Sequence, residues 1–80
     1  MPLFLLHNRH TAGDCGVVFA AFRGFPSPLR HSAALATCRG GGHEVWWRTT
    51  AADETTALRQ LPSYVATTST ATRVEWFDTP

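Results

Sequence analysis

The segment from His31 to Thr50, HSAALATCRGGGHEVWWRTT, narrows the choice of fold more than any other part of the chain. Two β-leaning runs flank Gly40, Gly41 and Gly42. Glycine enters the positive-φ region that tight hairpin turns need, while β-branched and aromatic side chains fill the pleated arms. With Gly40-Gly41 as the turn, the arms pair Cys38 with His43, Ala36 with Val45, Ala34 with Trp47, Ser32 with Thr49 and His31 with Thr50. Small residues then sit opposite large ones, which suits an interdigitating face.

The rest of the chain supplies partners for this hairpin. Residues 2–10 read as a strand. Leu3, Leu5, His7 and Arg9 point one way, and Phe4, Leu6, Asn8 and His10 the other. Thr11-Ala12-Gly13-Asp14 has the form of a capping box, and Cys15, Val18, Phe19 and Phe22 follow at helical spacing. That helix stops near Gly24, before the extended Pro26-Ser27-Pro28 connector. Beyond the hairpin, Thr50-Ala51-Ala52-Asp53 repeats the capping pattern, with Asp53 itself as the other candidate cap, and acidic Asp53 and Glu54 suit the start of a helix. Ala57, Leu58, Leu61, Tyr64 and Val65 supply its buried stripe, and Pro62 ends or kinks it. A last strand runs from Ala71 to Phe77, alternating Thr72, Val74 and Trp76 against Arg73, Glu75 and Phe77.

The element order is βαββαβ. It predicts an α+β fold of the split-βαβ, ferredoxin-like kind, filling residues 1–80 as one domain. The expected sheet is four-stranded and antiparallel in the order 4-1-3-2, with both helices on one face and strands one and three adjacent and parallel. Charged residues are only 16% of the chain, so the bare sheet face needs a cover, and a second copy is the simplest one. The expectation is therefore a homodimer.

Composition excludes several classes of function. A formal charge of +1, with every basic residue an arginine and these scattered, does not make an electrostatic nucleic-acid binder. No apolar run approaches the length that spans a bilayer. Pro2-Leu3-Phe4-Leu5-Leu6 is too short for a signal-peptide core and has no basic leader, so the expected location is cytoplasmic. Cys15 and Cys38 are accordingly expected to be reduced thiols.

Three regions resemble known proteins: Gly42-His43 at the start of the third strand, the acidic helix start Asp53-Glu54, and the run Leu58-Arg59-Gln60-Leu61-Pro62-Ser63-Tyr64-Val65. Together they resemble the dimeric α/β-barrel superfamily, with its muconolactone isomerase-like and YciI-like members. The resemblance covers about the last half of the chain. It implies the architecture and the dimer, and proton-transfer or isomerase-type chemistry on a small molecule. It transfers no catalytic residue.

Three constellations carry candidate chemistry. In the dimer, Phe4, Leu6, Asn8 and His10 join Leu35 and Thr37, and Glu44, Trp46 and Arg48, on one sheet face. That is an apolar floor with converging polar groups, as in a small-molecule pocket. His10 and Glu44 are the candidate general bases, Arg48 the anion holder, and Phe4, Asn8, Leu35 and Trp46 further ligand contacts. No cofactor is needed for that chemistry. In the alternative reading His7, His10, His31 and Cys15 meet at one sheet edge and bind nickel, zinc or copper, although His7 and His10 face opposite sides of a regular strand. Cys38 and His43, cross-strand neighbours at the opposite edge, form a possible thiolate–imidazolium dyad. A structural module without ligand is the third reading.

Overall fold

The computed structural model describes residues 1–80. The chain forms an α+β fold with a four-stranded antiparallel sheet. Its strands are β1 (Leu3–Arg9), β2 (Leu35–Ala36), β3 (Glu44–Thr50) and β4 (Ser69–Val74), ordered β2-β3-β1-β4 across the sheet. Three short helices accompany it: α1 (Cys15–Ala20), α2 (Glu54–Leu58) and α3 (Ser63–Ala66). No helix is long and apolar enough to cross a membrane.

β1 is the centre of the sheet because its alternating side chains fill both faces. Phe4, Leu6 and Asn8 are buried, and Leu3, Leu5 and His7 half-buried. Its partner β3 runs antiparallel to it, from Leu3↔Thr50 to Arg9↔Glu44. This corrects the parallel arrangement expected from the sequence. The register places Leu6 opposite Trp47 and Asn8 opposite Val45, and directly opposed residues share a face. Phe4, Leu6, Val45 and Trp47 thus line one side of the sheet. Val18 of α1, Ala57 of α2 and Val65 of α3, with Leu29, Ala51 and Leu61 from the connecting segments, close the core over them. Leu5, His7, Trp46 and Arg48 occupy the other side.

The hairpin keeps the expected register only at its base, where Leu35↔Trp46 and Ala36↔Val45 pair. It does not turn on Gly40-Gly41. The loop runs from Thr37 to Glu44, whose backbones bond to each other (Thr37 N to Glu44 O, 2.9 Å). Cys38–Gly40 form a 3-10 turn, and Gly41 (φ 87°) and His43 (φ 55°) are left-handed. A Cβ on Gly42 would collide with the Thr37 side chain, so the loop cannot tighten with any other residue there. The wide loop lifts Cys38 and His43 off the ladder. His31 never enters a strand; it lies in a turn at φ 63°.

The helices are shorter than the sequence suggested. Thr11 makes no side-chain cap, and a 3-10 turn at Ala12–Asp14 precedes α1. Glycines at 13 and 16 weaken a regular helix there. Phe19 is about half exposed, so only Val18 of the α1 stripe is fully buried. Pro62 divides the expected second helix into α2 and α3, and Tyr64 faces out at 55% exposure. The Asp53 cap forms as expected: its carboxylate accepts the Thr56 N–H at 2.7 Å. That bond holds the carboxyl below its usual range. Stabilisation from this cap is complete above the ordinary aspartate pKa of ~3.9 and is lost as acid carries the pH down through the folded value. The expected outcome is that Asp53→Ala lowers the melting temperature at pH 7 and removes this acid-range slope, whereas Asp53→Asn, still an acceptor, preserves most of the stability at pH 7. In urea unfolding, Leu6→Ala should cost about 2–5 kcal/mol, as for other fully buried leucines.

Candidate metal centre

Because β1 and β3 are antiparallel, the C-terminal end of one meets the N-terminal end of the other. The bond from His10 N to His43 O (3.1 Å) extends the ladder past Arg9↔Glu44. His10 therefore stands beside the wide loop that carries Cys38 and His43. Thr11 to Asp14 curl back, and Cys15 at the start of α1 comes down onto the same spot. The imidazoles of His10 and His43 and the thiols of Cys15 and Cys38 converge, with their donor atoms all within 4.8 Å of one another. His10 Nε2 lies 3.3 Å from each sulfur, and Cys15 Sγ lies 3.1 Å from His43 Nδ1. All four residues are half-buried.

Asn8 orients the cluster. It is fully buried, and its amide Nδ2 donates to Val65 O (3.1 Å), Thr68 Oγ1 (2.9 Å) and Ser69 Oγ (2.9 Å). Committing the NH₂ group to these acceptors turns Oδ1 towards His10, where it receives a bond from Nδ1 at 2.8 Å. His10 must carry its proton on Nδ1 to make that bond, which leaves the Nε2 lone pair facing the two sulfurs. No buried side-chain polar atom is left without a partner.

The charge environment does not activate Cys15 as a nucleophile. Desolvation, the Cys38 thiol and the Asp14 carboxylate together push the Cys15 thiol up. A reactive cysteine needs the opposite shift. A bound cation reverses this balance, since thiols deprotonate on coordination. Asp14 itself accepts a bond from the Tyr64 hydroxyl at 2.9 Å, tying α3 to the turn before Cys15 and pushing the Tyr64 pKa up.

The residues nominated from sequence divide between places. His10 and Cys15 are in the cluster, joined by Cys38 and His43. The latter two were expected as a dyad of their own at the far edge, and the antiparallel pairing is what merges the two groups. His7 is on the other sheet face, stacked on Trp46 (centroids 4.9 Å apart, planes at 7°) and bonded to Glu44 at 2.9 Å. His31 lies at a separate cavity. The single-face pocket does not assemble. Phe4 and Asn8 are under the helices, whereas Glu44, Trp46, Arg48 and Leu35 are on the open face, so His10 and Glu44 do not converge. Arg48 covers the Trp76 ring (5.3 Å), and Glu44 also pairs with Arg9 (3.4 Å). Asn8, expected as a ligand contact, is buried and bonded to His10. Its position on the stripe of Phe4 and Leu6, two residues before His10, was the available signal for an orienting role.

No protein-family model, curated protein or solved structure matches the chain. Removing the orienting amide tests the geometry: Asn8→Ala should lower unfolding free energy by about 1–3 kcal/mol, as expected for breaking a buried polar network. In histidine NMR spectra it should also release His10 from a single Nδ1–H tautomer.

Proposed function

We propose that this protein binds one Zn²⁺ ion through His10, Cys15, Cys38 and His43. The observation that carries this reading is the mutual approach of two imidazole nitrogens and two thiol sulfurs within 4.8 Å. Zinc prefers four such ligands in a tetrahedron, with bonds of about 2.0–2.1 Å to nitrogen and 2.3 Å to sulfur. The edges of that tetrahedron are then roughly 3.3–3.8 Å, from the same bond lengths, and the nitrogen–sulfur separations of 3.1–3.3 Å are within a few tenths of an ångström of them. The Asn8 bond to His10 is the kind of second contact that metal-bound histidines make.

A structural role fits the rest of the molecule. Only 12 of 80 residues are buried, a small core for an unaided domain. The four ligands come from the end of β1, the start of α1, and the loop between β2 and β3. One ion would thereby clip α1 and the hairpin to the sheet edge, much as a disulfide would.

Zinc content by mass spectrometry of reduced protein, and Co²⁺ substitution followed by absorption, test the reading. One equivalent is expected, with a thiolate-to-cobalt band. Both should be lost in Cys38→Ser and His10→Ala and retained in His7→Ala and His31→Ala. At free zinc ~100-fold above Kd the ion adds ~2.7 kcal/mol, which for a domain of this size raises Tm by roughly 10–20 °C. Absence of stoichiometric metal under these conditions overturns the proposal.

A second reading concerns the open face and stands beside the first. The order β2-β3-β1-β4, read from the opposite edge, supports a ferredoxin-like 4-1-3-2 arrangement. Leu35 (76% exposed) and Trp76 (75% exposed) flank Trp46, His7 and Leu5 on the side away from the helices. These features support a homodimer of the α/β-barrel kind that buries this face, with a small molecule between the sheets. Light scattering at micromolar concentration should give twice 8.8 kDa, and Trp46→Glu should return it to one chain. A single-chain mass for the unaltered protein excludes this reading and leaves the zinc site untouched.

A further inference from the structure

A second site lies at the other end of α1, away from the cysteines. The chain from Phe19 to Trp47 encloses an open cavity of about 320 Å³. Its apolar wall includes Phe19, Phe22 and Trp47, with the Phe22 and Trp47 rings tilted at 49° and 5.6 Å apart. Arg23, Arg30 and His31 form its polar side. Neither guanidinium is ion-paired, since the chain's two ion pairs both belong to Glu44, and none of the six acidic residues lines the cavity.

The segment that carries Arg30 and His31 is held in place. Ser27 Oγ donates to Gln60 O (2.6 Å) and accepts from Leu29 N (3.1 Å). Ser32 Oγ donates to Leu29 O (2.6 Å), and the backbone closes two further turns. His31 is kept at φ 63°, a conformation that side-chain-bearing residues avoid and that persists only where surroundings enforce it. Leu29, buried in the core, anchors the same turn from below. The backbone that carries Arg30 and His31 along the cavity is thus held by these bonds.

We propose that this cavity binds a small aromatic carboxylate. The volume is at the lower end of small-molecule sites, the wall is aromatic with Phe19 about half exposed, and two guanidiniums without ion-pair partners supply the charge for a carboxylate. A neutral ring satisfies only the wall, and a ringless anion only the arginines. The site is independent of the zinc reading, because it shares no residue with the cluster.

The test is an amide and indole NMR titration of the full chain, in one fixed metal state, with benzoate, benzyl alcohol and acetate as separate probes. Benzoate should give saturable shifts confined to Phe22, Arg23, His31, Ser32 and the Trp47 indole. Benzyl alcohol and acetate should each bind at least about tenfold more weakly. Arg23→Gln and Arg30→Gln, both at exposed positions, should each weaken benzoate by about fivefold, the effect of losing an exposed charge contact worth ~1 kcal/mol. Unchanged melting of these variants shows that folding is not the cause. The proposal is overturned if benzoate fails to saturate in the millimolar range, if it shifts resonances elsewhere, if the neutral ring binds as well, or if the double variant binds as the parent does.

Discussion

The antiparallel pairing of β1 with β3 is the constraint on which the other features rest. Seven consecutive residue pairs hold the two strands together, and the pairing decides two things at once. It fixes which residues share a face, so that Phe4 and Leu6 meet Val45 and Trp47 over a common core. It also fixes which strand ends meet, so that His10 arrives at the loop of Cys38 and His43. Had the strands run parallel, the same side chains would lie at opposite edges of the sheet and no cluster of four donors could form.

The fold was legible in the sequence wherever periodicity alone decides it. β1 is marked by an apolar run that turns polar on both faces, β3 by the aromatic and β-branched residues that follow the glycines, the Asp53 cap by residue type, and the break at Pro62 by the ring's missing N–H. The pairing Leu35↔Trp46 follows from the hairpin register. What alternation does not encode is the phase between strands distant in sequence. The even-numbered residues of β1 share a face with the odd-numbered residues of β3, and a shift by one residue exchanges the faces. Phe4 and Asn8 were therefore grouped with Trp46 and Arg48, when they lie with Val45 and Trp47. The antiparallel sheet was foreseen, but strands one and three were expected to run parallel within it, and that one direction is why the donor set reads as two incomplete halves.

The site also shows how a buried polar residue can serve a cluster without belonging to it. Asn8 has no exposed surface, yet its amide links Val65, Thr68 and Ser69 to His10. The end of α3 and the start of β4 consequently help determine the tautomer of a histidine at the opposite side of β1. Tyr64 performs a related task from the surface by holding Asp14. The short helices, which bury little, thus contribute to the geometry around Cys15 and His10 through polar contacts more than through area.

The wide loop from Thr37 to Glu44 has a consequence for how the molecule is made. The donors come as two couples, His10 with Cys15 and Cys38 with His43, separated by the whole of α1, its connector and β2. A nascent chain leaving the ribosome exposes the first couple early, with its two donors alone. The second couple follows only after β2 has emerged, and β3, the strand that β1 needs, comes directly behind His43. The four donors therefore come together as β1 and β3 pair, so that assembly of the cluster and closure of the sheet centre are one event.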